Sequence, residues 1–158
     1  EKLKHGHEKD FLTVGGMGHA NQIAFGIALQ KPNSNVICLD GDGAALMHMG
    51  SLAINGNMVC NNFLHIILNN GTHDSVGGQP TVGFKIDFQS IAKACGYDLV
   101  LHAENREDIA KHIKNSKDIK GKVFIEIRTK KGFRSNLGRP TTSPKENKLN
   151  FIKFIRSL

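Results

Sequence analysis

The sequence predicts an α/β fold in three layers, a parallel sheet covered by helices on both faces. Two observations predict it. Short apolar runs of strand character alternate with stretches of helical spacing along the whole chain. And 158 residues are enough for one domain with one core but short for two, so residues 1–158 are read as a single domain.

The elements follow in order. Phe11 to Val14 is a short apolar run, expected as the first strand. From Gly18 to Gln30, Ala20, Ile23, Ala24, Ile27 and Ala28 recur at helical spacing, and Lys31-Pro32 ends that helix. Val36 to Leu39 is expected as a buried strand, Ala44 to about Met58 as one helix, and Phe63 to Leu68 as the next buried strand. A glycine-rich, nearly charge-free loop covers Asn69 to Gly83. Asp87 is placed to cap a helix that carries Phe88, Ile91, Ala92 and Cys95 on one side and stops at Gly96. Asp98 to Leu101 is a strand, Asn105 with Asp108 a capping box, and Val123 to Ile127 the last strand. A basic loop, 129–145, leads to a final helix from about Glu146.

Composition narrows the function classes. No apolar stretch reaches the roughly 18 residues of a membrane helix, and no signal peptide is visible, so no membrane partner is expected. Cys38, Cys60 and Cys95 are odd in number, far apart and set among apolar neighbours, which fits reduced thiols and a cytoplasmic location. The net charge is +7, and fourteen of the 21 Lys and Arg fall in residues 111–158. With one Tyr, no Trp and no recognition motif in that tail, the charge suits a small anionic substrate, an acidic partner surface or solubility rather than nucleic acid. The chain opens at Glu1 rather than Met, which suggests a cut chain whose functional unit continues elsewhere.

The chemistry is carried by Gly41-Asp42-Gly43, then 25 residues, then Asn69-Asn70-Gly71. Each tripeptide leaves the carboxyl end of an expected strand, and the helix between them makes those strands parallel. Neighbouring strands lie about 4.8 Å apart, so a carboxylate at one tip and an amide oxygen at the next can share one cation. An all-oxygen donor set with one protein charge suits Mg²⁺. The glycines admit backbone N–H groups to an anion at the start of the following helix, beside Ala44. A Walker-type lysine is absent, and Leu46 stands where a dinucleotide fingerprint needs glycine.

Gly41-Asp42-Gly43 with Asn69-Asn70 resembles the signature of thiamine diphosphate enzymes such as pyruvate decarboxylase, acetolactate synthase and transketolase. The resemblance implies that Asp42, the Asn70 side chain and the Thr72 carbonyl bind Mg²⁺, which holds the cofactor's diphosphate. It also implies that Gly15-Gly16-Met17-Gly18 is the family's glycine-rich turn, with Met17 propping the cofactor in a bent form and the Gly15 carbonyl accepting from its amino group. Gly41, Gly43 and Ala44 complete the expected cofactor contacts.

A narrower resemblance is to the phosphonopyruvate decarboxylases. It is carried by Phe11 to Gly18 with Gln22-Ile23-Ala24, by the loop Asn70 to Thr81, and by Leu137-Gly138-Arg139-Pro140-Thr141-Thr142. Gly16 stands where that family more often has serine. The implied reaction is non-oxidative decarboxylation of 3-phosphonopyruvate to phosphonoacetaldehyde and CO₂. The alternatives are a sulfopyruvate decarboxylase subunit and a non-catalytic cofactor-binding subunit. The implied partners are a small anionic 2-oxo acid, a pyrimidine-binding domain or subunit that this chain lacks and that carries the activating glutamate, and further copies in a homo-oligomer. His73 is the histidine expected near the reacting carbon, with Asp74 and Gln79 as weaker loop candidates and His48 and His65 as structural ones. Arg134 and Arg139 are candidates to hold the phosphonate through charge-assisted bonds.

Overall fold

Parallel pairing of buried strands builds the sheet on which the candidate site is mounted. The computed structural model describes residues 7–116, 120–138 and 140–158. They fall into two compact units, one within residues 18–132 and the other made of segments within 7–17 and 133–158.

In the larger unit, α1 (Ala20–Gln30) precedes β1 (Val36–Gly41), α2 (Asp42–Met47), α3 (Gly50–Asn57) and β2 (Asn62–Asn69). Two short strands, β3 (Thr72–His73) and β4 (Gln79–Pro80), pair antiparallel inside the glycine-rich loop. Then come α4 (Phe88–Ala94), β5 (Leu99–Ala103), α5 (Arg106–Ser116) and β6 (Gly121–Arg128). The main sheet runs β1-β2-β6-β5, every pair parallel.

The register sorts side chains to two faces, because successive residues of a strand point oppositely. Val36 lies beside Phe63, and Phe63 beside Lys122. One face thus carries Cys38, Phe63, Ile67 and Phe124, packed with Phe25 and Ala28 of α1, Ala45 of α2, Leu52 of α3 and Phe88 and Ala92 of α4. The other carries Leu64, Ile66, Val123, Ile125, Ile127 and Ala103, with Ile109 of α5 against it. Helices therefore cover both faces, as expected. Ring contacts tighten the first core: Phe25 meets Phe63 edge-on at 5.1 Å, and Tyr97 meets Phe124 at 5.5 Å.

Three expectations need correction. The helix expected over Ala44 to Met58 is two helices, because His48 leaves the helical region (φ −132°, ψ 47°) and α3 starts afresh at Gly50. Phe11 to Val14 forms no strand; the Leu12 amide donates to Asn147 Oδ1 at 3.0 Å instead of to a ladder. Asn105 caps α5 through the Asp108 amide at 2.8 Å, but the Asp108 carboxylate accepts from the Asn105 side chain (2.7 Å) rather than from its backbone. Asp87 caps α4 as expected, and its bonds from Ser90 hold its carboxyl below the usual range.

One polar cluster lies inside the first core. The Asp40 carboxylate accepts from His65 Nε2 at 3.1 Å and Asn21 Nδ2 at 3.3 Å, and His65 Nδ1 meets the Tyr97 hydroxyl at 3.1 Å. His65 is fully buried within this cluster. Burial, helped by the Asp40 charge, pushes the Cys38 thiol far above its ordinary range.

In the smaller unit, a 3₁₀ turn at His7–Lys9 leads into the extended segment 11–14, where Phe11 stacks on Phe151 at 5.3 Å. A final helix, α6 (Pro144–Ser157), opens on a full capping box between Ser143 and Glu146 with Pro144 in its first turn. Leu12, Arg134, Leu137, Phe151 and Phe154 help line a cleft of about 1170 Å³ in this unit. Among the described residues, no helix is long and apolar enough to cross a membrane.

Two outcomes follow from the packing. Phe124 is fully buried, and Phe124→Ala should cost about 3–5 kcal/mol in urea denaturation. Its raised thiol and burial should keep Cys38 unlabelled by a disulfide reagent at pH 8 until the chain unfolds, whereas the half-buried Cys95 labels first; rapid labelling of Cys38 in the folded chain would contradict the packing described.

Candidate functional site

The carboxyl edge of the sheet brings the two motif turns together. Gly41 at the end of β1 pairs with Leu68 of β2, so Asp42 and Asn69-Asn70 follow from neighbouring positions. Asp42 is 1% exposed. Its Oδ1 lies 3.4 Å from the Asn70 amide, which donates to it, and its Oδ2 accepts from the Thr81 hydroxyl. Among the described residues, none of the ion pairs reaches Asp42. A buried carboxylate faced only by neutral donors is costly, and a cation would offset that cost.

The oxygens around Asp42 fit a hard divalent ion. Asn70 Oδ1 accepts from the Thr72 amide at 3.1 Å, which folds the turn so that the Asn70 side chain and the Thr72 backbone lie together. Asn70 Nδ2 donates to Asp74 Oδ2 at 2.9 Å, which leaves the amide oxygen as the ligand-type atom. Thr72 is buried and its hydroxyl donates to the Gln79 carbonyl at 3.0 Å, tying β3 to β4. Asp74 also accepts from the Gly132 amide at 2.7 Å, so this loop candidate braces the turn.

Close approaches explain three of the glycines. A Cβ on Gly43 would stand 2.3 Å from Nδ1 of His73, so the imidazole lies directly on the start of α2. His73 is thereby brought to the Gly41-Asp42-Gly43 turn. A Cβ on Gly83 would come 2.4 Å from Asp42 Oδ2 and 2.6 Å from Asn69 Oδ1, so the returning loop closes on both. Gly18, with φ +85°, backs onto the Ala44 carbonyl and His48.

Gly15, Gly16, Met17 and Arg134 belong to the smaller unit, where Met17 is half-buried and Arg134 exposed. Arg139 lies outside the described residues. Thr81, Gly83 and Asn69 were not singled out as site residues. Thr81 and Gly83 sit 39 and 41 positions after Asp42 in an unpatterned loop, and only the fold of that loop delivers them.

With its charge unopposed, Asp42 should destabilise the metal-free chain. Asp42→Asn is expected to leave the metal-free melting temperature unchanged or raised, by about 1 kcal/mol of stability, and to abolish any rise on adding Mg²⁺. A large loss of metal-free stability would count against the cation site.

Comparison with known proteins identifies the family. Residues 4–127 match the family model described as thiamine pyrophosphate enzyme, C-terminal TPP binding domain. The chain is 35% identical over 148 residues to a phosphonopyruvate decarboxylase of Streptomyces viridochromogenes, covering 94% of this chain and 37% of that protein. It is 34% identical to a sulfopyruvate decarboxylase subunit beta of Methanococcus maripaludis, covering 94% of this chain and 79% of the relative. Among solved structures, a thiamine diphosphate-dependent 4-hydroxybenzoylformate decarboxylase of Rhodococcus jostii RHA1 superposes with a TM-score of 0.62 at 27% identity, over 75% of this chain and 24% of that one. The chain thus spans less than two fifths of the length of the phosphonopyruvate decarboxylases it matches. It belongs to the thiamine pyrophosphate enzymes and corresponds to their C-terminal cofactor-binding domain.

Proposed function

We propose that the chain supplies the diphosphate-and-metal half of a thiamine diphosphate-dependent decarboxylase acting on 3-phosphonopyruvate, with phosphonoacetaldehyde and CO₂ as products. The observation that supports it best is the buried, unopposed Asp42 carboxylate beside Asn70, in a chain of this family. In this reading the Asp42 carboxylate, Asn70 Oδ1 and the Thr72 carbonyl hold Mg²⁺. Gly15, Gly16, Met17, Gly18, Gly41, Gly43 and Ala44 line the cofactor. When bound, thiamine diphosphate supplies the electron sink that lets CO₂ leave a 2-oxo acid.

The protein's own task is to hold the anions and to manage one proton. Replacing a carboxylate by hydrogen consumes a proton at the carbon that CO₂ leaves. His73 rests the Nδ1 edge of its ring on Gly43, and its Nε2 is assigned to deliver that proton. Arg134 and Arg139 are assigned to the phosphonate, where paired N–H groups match its oxygens. A pyrimidine-binding domain or subunit completes the site, in a homo-oligomer, and the free cysteines suit the reducing cytoplasm.

A second reading is favoured by one comparison. The chain covers most of a protein described as a sulfopyruvate decarboxylase subunit beta, so it fits a separate subunit with a sulfonate substrate as well. A non-catalytic cofactor-binding subunit is the third.

Aldehyde formation decides among them. Phosphonopyruvate, sulfopyruvate and pyruvate are each supplied with thiamine diphosphate and Mg²⁺, to this chain alone and with its pyrimidine-binding half. The expected result is turnover of phosphonopyruvate only with both halves, lost in Asp42→Ala. Preferential turnover of sulfopyruvate supports the second reading; cofactor binding without turnover of any 2-oxo acid supports the third.

A further inference from the structure

Beneath the candidate metal loop lies a second buried carboxylate, which the reaction described above does not use. Glu126 of β6 is 1% exposed. Its Oε1 accepts from Asn69 Nδ2 at 2.7 Å and its Oε2 from Gln89 Nε2 at 3.1 Å. Arg128 Nε stands 3.7 Å from Oε1, so the charge is faced by a guanidinium. Strand register places Glu126 beside Ile67 on β2, two residues before Asn69 on the same face of the sheet.

Asn69 links this carboxylate to the loop. Both protons of its amide nitrogen are used: one goes to Glu126, the other to the Gly83 carbonyl at 2.8 Å. With the nitrogen so occupied, the amide has one orientation. Its oxygen then accepts from the Gly71 amide at 3.2 Å. That bond shapes the turn through Gly71, where φ is +68°, and hence sets the Asn70 side chain and the Thr72 backbone. The Gly83 bond holds the returning loop over Asp42, whose Oδ2 and Asn69 Oδ1 both lie against the Gly83 α-carbon.

We propose that Glu126 is a positioning residue for the metal loop, fixing the Asn69 amide so that the Asn70–Thr72 turn presents its oxygens beside Asp42. An ionised acceptor holds the Asn69 amide more strongly than a neutral one, because charge-assisted hydrogen bonds are the stronger kind. A glutamine at 126 can still accept from Asn69, and Gln89 can turn its own amide to accept from the new nitrogen, so that variant keeps the bond and loses the charge. A methionine at 126 keeps the length of the side chain and removes the acceptor. The inference rests on the metal reading of Asp42, Asn70 and Thr72 only for its consequence; the orientation of Asn69 stands without it.

Two readouts on this chain test it, exchange protection of the Gly71 amide without metal and half-saturation by Mg²⁺ in the presence of thiamine diphosphate. Glu126→Met should speed exchange at Gly71 and raise half-saturating Mg²⁺, each by about tenfold, the scale of one charge-assisted hydrogen bond. Glu126→Gln keeps an oxygen for Asn69 and should fall between Glu126→Met and wild type, whereas for a merely packed side chain the two variants would be alike. The proposal is overturned if folded Glu126→Met matches wild type in exchange, or if Glu126→Gln is no closer to wild type than Glu126→Met. Should Glu126→Met not fold, Glu126→Gln is compared with wild type: faster Gly71 exchange supports the proposal, and equal exchange overturns it. If wild type shows no Mg²⁺ or cofactor binding, the metal reading fails while Gly71 exchange still judges Glu126.

Discussion

Asp42 is buried beside Asn70 because two strands run parallel and adjacent, and most of the candidate site depends on that pairing. Gly41 and Leu68 are register partners at the carboxyl ends of β1 and β2. Two turns that leave a sheet from neighbouring positions on one edge must face each other. The helices α2 and α3 between them return the chain to the sheet's starting edge, so both turns emerge at the same end. The hydrophobic cores on the two faces stabilise the register, since a one-residue slip would carry Phe63 and Ile67 to the face of Leu64 and Ile66.

The sheet tolerates several buried polar groups that hydrogen bonds hold in place. Asp40 and His65 satisfy one another and reach Asn21 and Tyr97, which pins the first turn of α1 to the strand that ends at Gly41. Glu126 satisfies Asn69 and Gln89. Buried groups of this kind cost much when left unpaired and specify geometry when paired. Asp42 differs in that, among the described residues, no ion pair reaches it, whereas His65 stands against Asp40 and Arg128 and His102 against Glu126.

The smaller unit is held by a different logic. Its segments are joined by Asn147, which accepts from the Leu12 amide and donates to the Asp10 carbonyl, and by the contact of Phe11 with Phe151. None of the residues of α6 is buried, and the helix owes its start to the Ser143–Glu146 box. The segment that precedes the glycine turn is thus anchored within this unit by side-chain contacts rather than by strand ladders.

By itself the sequence determined the α/β class, the alternation of buried strands and helices and the Asp42–Asn70 juxtaposition. Those follow from local pattern and one topological rule, and both are written in contiguous residues. It misjudged Phe11 to Val14, because an apolar run becomes a strand only when an edge is there to pair with it. It also joined α2 to α3, since an apolar stripe persists across His48 while the backbone turns. Only the tertiary structure decided that Thr81 and Gly83 close on Asp42, that Gly43 is small because His73 lies on it, and that Glu126 orients Asn69. Those partners are 14 to 57 positions apart, on elements whose spacing in sequence says nothing of their contact in space. Loop closure and strand order, not local propensity, bring them together.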